Sequence, residues 1–149
     1  MSPSREQIYQ ALFDLVANDP RTQANFVTVS RYLKQFNDVP SVSMPALFMF
    51  QRPERRVQKG KGIDAIRTLS AHFWVYCQAG DPLSQLPATL LNNAMDIIDD
   101  VITKPGTPDN AQTLGGLVEH VYITPTVDYA EALLQDTSML VATVEILIP

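Results

Sequence analysis

The side chains best suited to chemistry are three aspartates in the second half of the chain. Asp96, Asp99 and Asp100 are separated by one to four residues, so on a helix they share one face. Such a face can hold a cation or carry out general acid–base catalysis. The solvated side of an amphipathic helix often has the same composition. A small hydrolase built on these carboxylates is one hypothesis for function, and it requires a concave site around this helix.

The two histidines and the single cysteine form no recognisable catalytic or metal site. His72 and His120 lie in different predicted strands, and neither has a carboxylate or a second histidine at ligand spacing. Cys77 follows His72 by five residues, which places the two side chains on opposite faces of a strand. We therefore interpret Cys77 as a small apolar residue of the core.

The glycines do not have the spacing of a nucleotide-binding motif. Gly115 and Gly116 are adjacent, without the spaced glycines of a dinucleotide fingerprint, and Gly60 and Gly62 lack the spacing of a phosphate loop. No catalytic arrangement remains. We predict a protein that is not an enzyme and that uses no cofactor and no metal.

Positive charge is concentrated in one segment of an acidic chain. The net charge of the 149 residues is −5. Residues 52–61 carry five basic side chains against Glu54, a charge of +4, whereas the remaining residues carry six basic and fifteen acidic side chains, a charge of −9. A basic segment on an acidic body is attracted to the acidic body of an identical neighbour. The candidate contact residues are Arg52, Arg55, Arg56, Lys59, Lys61 and Arg67.

A nucleic-acid module is the competing hypothesis for the same basic segment. Lysine and arginine neutralise phosphates, and affinity of this kind falls steeply with salt. The acidic remainder of the chain argues against it, because phosphate neutralisation dominates duplex affinity.

The basic segment belongs to a predicted hairpin that organises the chain. An apolar strand over residues 45–51 leads into a basic loop, residues 52–62, and then into a long strand, residues 63–78. That second strand would extend roughly 50 Å at about 3.3 Å per residue. A domain of this length is roughly 40 Å across. We therefore expect the apolar half of the hairpin in the core and the basic tip projecting as an arm.

Periodicity and turn signals predict the other elements. Ser4 and Gln7 have the spacing of a capping box at the start of the first helix. The predicted elements are a helix at 4–17, a strand at 24–36, an extended linker at 38–44, a turn at 79–82, a helix at 83–102 whose main part starts near Pro87, an exposed loop at 104–110, a strand at 112–126 entered through a glycine bulge, a connector at 128–136 with one helical turn, and a strand at 138–148.

This order predicts an α+β fold: a mostly antiparallel β-sheet with two main helices packed on one face and a projecting β-hairpin arm. The length suits a single domain, residues 1–149. Charged residues make up 18% of the chain, below the usual ~25%, which favours a subunit over a free monomer. The N-terminus has no apolar signal core and no apolar run approaches ~18 residues, so we expect a soluble intracellular protein without membrane contact.

Six stretches, taken in order over nearly the whole chain, carry a resemblance to a known family. They are residues 5–8 (REQI), 26–31 (FVTVSR), 45–48 (PALF), 91–93 (LNN), 113–118 (TLGGLV) and 145–149 (EILIP). In this order they resemble the bacteriophage tail terminator, or tail completion, proteins.

The resemblance implies a structural virion protein that caps the tail tube, stops tube polymerisation and forms the interface for head attachment. Its implied partners are further copies of itself in a ring, expected to be a hexamer, the tail-tube protein, and the head-completion or connector protein. DNA would only pass through the ring. The implied location is the neck end of the virion tail, after assembly in the host cytoplasm. A head–tail connector or neck subunit is the alternative within this class.

Overall fold

A computed structural model of the chain describes residues 3–78, 87–103, 111–134 and 137–148. The helices are α1 (Arg5–Ala17), α2 (Pro20–Asn25) and α3 (Pro87–Thr103). The strands are β1 (Thr28–Ser30), β2 (Ala46–Val57), β3 (Ile66–Cys77), β4 (His120–Leu134) and β5 (Thr137–Leu147). Short 3₁₀ turns lie at Phe36–Asp38, Ser41–Ser43 and Ala111–Thr113.

The strands form one sheet in the order β1-β2-β3-β5-β4. β1 runs parallel to β2, and every other neighbouring pair is antiparallel. β3 is the central strand, paired with β2 on one side and with β5 on the other. The predicted α+β class with a mostly antiparallel sheet is confirmed.

One face of the sheet packs against α1 and α3, as predicted. Alternate residues of β3 point to this face and are fully buried: Leu69, Ala71, Phe73, Val75 and Cys77. β5 adds four more fully buried side chains: Leu140, Ala142, Val144 and Ile146. The helices cover them with their own apolar stripes, which include Ile8, Leu12, Leu91 and Ile98. Each large apolar side chain buried in this way contributes about 1.5–3 kcal/mol to stability.

The first helix begins as its sequence predicts. The Gln7 amide N–H donates to the Ser4 hydroxyl oxygen at 3.2 Å, and the Ser4 amide N–H donates to Gln7 Oε1 at 2.8 Å. This reciprocal pair is the expected capping box, and it satisfies two of the backbone donors that a helix start leaves free.

The opposite face of the sheet is covered at one end by a crossover. Because β1 and β2 are parallel, the chain between them has to pass over the sheet. Residues 31–45 make this connection, and the Tyr76 hydroxyl donates to the Lys34 carbonyl oxygen at 3.1 Å. Apolar side chains of the crossover form a second cluster against the sheet: Leu33, Val39 and Met44. The predicted linker at 38–44 therefore includes a 3₁₀ turn instead of being extended throughout.

The predicted strand at residues 24–36 is wrong at both ends. Pro20 occupies the first turn of α2, and the Asp19 side chain accepts a hydrogen bond from the Arg21 amide at 2.9 Å. A proline that ends one helix therefore also starts the next, because its fixed φ suits the first turn. β1 is short because the chain leaves the sheet edge after Ser30 to begin the crossover.

The predicted strand at 112–126 and connector at 128–136 are also misplaced. Leu114, Gly115 and Gly116 all have positive φ angles, 52°, 72° and 91°, so they form a tight turn instead of a strand start with a bulge. β4 begins at His120, eight residues after the predicted start of the strand at residue 112, and continues to Leu134. The β4–β5 ladder instead has two register shifts. One lies between Ile123 and Val127, around Pro125, where a missing N–H is tolerated, and the other lies between Ala130 and Leu134.

The hairpin ladder is longer than predicted and its loop is shorter. β2 continues to Val57 through a bulge between Arg52 and Arg55, where one extra residue is accommodated next to Pro53. The loop comprises residues 58–65 instead of 52–62, because the bulge lets the basic residues join the ladder.

The last predicted strand is confirmed by β5, and α3 begins at Pro87, where the main helix was expected. The predictions for residues 79–82, 83–86 and 104–110 lie outside the described residues. Within the described part of the chain, no helix is long and apolar enough to cross a membrane.

Replacing Phe73 by alanine tests which sheet face is the core. Phe73 is fully buried beneath the helices, so we expect Phe73→Ala to lower the free energy of unfolding by about 3–5 kcal/mol in urea denaturation. Phe50→Ala is the matched control on the opposite face, where Phe50 is only half-buried, and its cost should be smaller. An equal or larger cost at Phe50 would contradict the assignment.

Candidate interaction surface

The three aspartates of the hydrolase hypothesis lie on the exposed side of α3. The Asp100 carboxylate pairs with Arg21 Nη1 at 2.9 Å. Burial and then the charges of Asp96 and Asp99 raise the pKa of Tyr129, which places the neighbouring strand β4 beside these acids. The described residues contain no group of three or more His, Cys, Asp or Glu side chains arranged to hold a metal ion. The arrangement gives the hydrolase hypothesis no support.

Cys77 and His72 are on opposite faces, as predicted. Cys77 is fully buried in the core, and burial raises the pKa of its thiol to about 12. A thiol with so high a pKa is not a nucleophile near neutral pH. His72 lies on the other face of β3 and is half-buried.

The sheet face opposite the helices carries a row of half-buried aromatic rings beyond the crossover. We call this region the open face; it consists of Phe50, His72, Trp74, Val141 and Thr143. The Phe50 ring meets the rings of His72 and Trp74 edge-on, with centroids at 5.4 and 5.1 Å. The Trp74 Nε1–H donates to His72 Nδ1 at 3.2 Å, so the neutral imidazole keeps its proton on Nε2. Burial and then the charge of Arg52 lower the pKa of His72, which favours this neutral form.

Next to the bulge in β2, the side chains of Glu54 and Arg55 point to opposite faces of the sheet. Each of them attaches the hairpin to the rest of the subunit on its own face. Glu54 points to the helix side, where its carboxylate accepts hydrogen bonds from Arg5 Nε at 2.7 Å and Arg5 Nη2 at 2.9 Å. This bidentate geometry is the strongest form of an arginine–carboxylate pair. It attaches β2 to the start of α1.

The second anchor lies on the opposite side of the sheet. Arg55 Nη2 donates to both carboxylate oxygens of Glu145 in β5 at 3.3 Å. The arginine side chain reaches across β3, where the small side chains of Thr68 and Ser70 leave room for it. The Tyr122 hydroxyl donates to the same carboxylate, and this hydrogen bond raises the pKa of Tyr122. Arg55 is therefore engaged within its own subunit.

The loop of the hairpin has its own compact turn. The Gln58 side chain donates to the carbonyl oxygens of Gly60 and Ile63, and the Ile63 amide donates to Gly60 at 3.3 Å. Gly62 adopts a φ of 77°, which a glycine tolerates without strain. Three large apolar side chains near the tip are about half exposed: Val57, Ile63 and Ile66.

The structure divides the six predicted contact residues into different environments. Arg55 is held by Glu145, and Arg56 approaches Glu54 only to 4.0 Å. The others, Arg52, Lys59, Lys61 and Arg67, form no salt bridge with the described residues. Lys59 and Lys61 are exposed on the loop and are the basic side chains best placed to meet another molecule.

Sequence reasoning missed the partners that hold the base of the hairpin. Arg5 and Glu54 are separated by 49 residues, and Arg55 and Glu145 by 90. Neither pair has a local spacing that could reveal it. The one available signal was Glu54 itself, the single acid within an otherwise basic segment.

Comparison with known proteins adds no relative. The sequence matches no protein-family model and no curated protein.

Acid denaturation tests the helix-side anchor. The hydrogen bond from Arg5, and then its charge and those of Arg67 and Arg56, lower the pKa of Glu54 below its ordinary value of 4.5. A carboxylate whose pKa is lowered by folding stabilises the protein above its unfolded pKa, and this stabilisation is lost as the pH falls through the folded pKa. Glu54→Gln should therefore lose less stability than the wild type between about pH 6 and pH 3.

Glu119→Gln is the matched control, because Glu119 is exposed and forms no salt bridge with the described residues. Urea unfolding at a series of pH values gives the comparison. The anchor is not stabilising if Glu54→Gln and the wild type have parallel pH profiles.

Proposed function

We propose that this chain is a structural subunit that assembles with copies of itself through its basic hairpin tip. The observation that carries the proposal is an exposed basic loop at the end of a hairpin whose side-chain anchors, Glu54 and Arg55, lie before the loop. Lys59 and Lys61 lie beyond both anchors. The remainder of the subunit is acidic.

Such a subunit has two different surfaces that attract each other. Contact between the basic tip of one copy and the acidic body of the next is heterologous, and repeated contacts of this kind close into a ring when the rotation permits. Charge complementarity also speeds the encounter of the copies and selects their orientation.

Within this class, we propose a tail terminator of a bacteriophage. The protein would form a ring, expected to be a hexamer, on the end of the tail tube at the neck of the virion. It would stop tube polymerisation and present a surface to the head-completion or connector protein. The order of helices and strands supports this proposal, and an acidic ring would let DNA pass without retaining it.

Charge reversal at the tip tests the assembly. Lys59→Glu and Lys61→Glu replace attraction by repulsion, and neither side chain has a salt bridge to lose within the described residues. We expect the double variant to associate at least about tenfold more weakly than the wild type in sedimentation velocity, a difference of ~1.4 kcal/mol. Its stability in urea should be unchanged, because exposed charges contribute little singly.

Lys34→Glu is the control for charge reversal of a lysine away from the tip, because Lys34 is an exposed lysine on the crossover. Its self-association should match that of the wild type. In a gel-shift assay at low salt, neither the wild type nor the tip variants should retard duplex DNA. Unchanged association of the tip variants would overturn the role of the tip, and DNA binding that depends on Lys59 and Lys61 would favour the nucleic-acid module.

Tube capping tests the more specific proposal. Added to polymerising tail-tube protein from the same genome, the chain should stop elongation and appear at one tube end in electron micrographs. Tubes that continue to grow, with no added density at their ends, would exclude a terminator while leaving self-assembly intact.

A further inference from the structure

Two arginines lie directly opposite each other near the end of the hairpin ladder. Arg56 of β2 is the register partner of Arg67 of β3, so both side chains are on the same face. Like charges in this position destabilise a sheet. Their mutual repulsion therefore offsets part of what their attraction to Glu54 contributes within the subunit.

One carboxylate lies close to this pair, and it is already occupied. Glu54 precedes Arg56 by two residues and shares its face, but both of its oxygens accept hydrogen bonds from Arg5. Arg56 Nε reaches Glu54 Oε2 only at 4.0 Å. Three arginines thus share a single acid: Arg5 is hydrogen-bonded to it, Arg56 forms a long salt bridge with it, and the charge of Arg67 also acts on it.

The arginines of this cluster are accessible to a second molecule to different degrees, and Arg67 is half-buried. The Arg56 side chain is 59% exposed and that of Arg5 is 49% exposed, whereas Glu54 is 19% exposed beneath them. Each guanidinium group presents two parallel N–H donors that match the two oxygens of a carboxylate. The chemistry of the site therefore suits an incoming carboxylate.

We infer that Arg56 and Arg67, supported by Arg5 and Glu54, bind a carboxylate of a second copy of this chain. The inference rests on the proposed self-assembly and names the side of the hairpin that makes the contact. A second copy is the occupant that the charges favour, because residues outside the basic segment carry fifteen acids against six basic groups. The incoming carboxylate would also relieve the repulsion between the two arginines.

Substitution of the pair by glutamine separates a binding role from a structural one. Arg56→Gln and Arg67→Gln each remove one of two repelling charges and keep a polar side chain of similar length. We expect the urea midpoint of each variant to be unchanged or raised, while self-association measured by sedimentation velocity weakens about tenfold. A purely structural role would instead lower the urea midpoint.

Arg52→Gln is the control, because Arg52 is exposed on the same strand but lies opposite Ser70. It should weaken association less than either substitution in the pair. The inference is overturned if Arg56→Gln and Arg67→Gln self-associate as strongly as the wild type. It is also overturned if these substitutions weaken binding to duplex DNA while leaving self-association unchanged. Self-association that depends on Lys59 and Lys61 but not on Arg56 and Arg67 would overturn this inference alone. A wild type that stays monomeric would overturn the proposed assembly as well.

Discussion

The packing of one face of β3 against the helices fixes the rest of the structure. Every second residue from Leu69 to Cys77 is fully buried beneath α1 and α3. Because side chains alternate along a strand, the intervening residues must face the other way, toward the crossover and the open face. β2 and β5 are both hydrogen-bonded to β3, so the placement of β3 also fixes their positions in the sheet. It thereby fixes the direction in which the β2–β3 hairpin extends.

From this sheet the hairpin extends to the basic loop that we propose as a contact surface for a second copy. Its base is held on the helix side by Arg5 and Glu54 and on the opposite side by Arg55 and Glu145. Both acids are about one-fifth exposed, so water and salt screen these ion pairs less than pairs on the open surface. The basic residues thus divide into Arg5 and Arg55, which hold the hairpin, and those proposed to meet a second copy, namely Lys59, Lys61, Arg56 and Arg67.

The sequence was sufficient for features that depend on local periodicity. The capping box at Ser4, the start of α3 at Pro87 and the alternation of β5 all follow from spacings within a few residues. The short β1 and the long β4 could not be predicted, because a crossover over the sheet and a turn of three residues with positive φ decide their limits. The candidate interaction surface could be predicted only in part, since the basic charge is visible in the sequence whereas the anchors of the hairpin come from distant segments.

Zero-length cross-linking of mixed isotopic copies tests most directly whether one subunit receives the hairpin of another. Unlabelled and ¹⁵N-labelled chains are mixed, treated with a carbodiimide that joins amines to carboxylates, and digested for mass spectrometry. The account predicts peptides in which Lys59 or Lys61 of one isotope is joined to an acid of the other. Cross-links of these lysines that always pair peptides of the same isotope would contradict it.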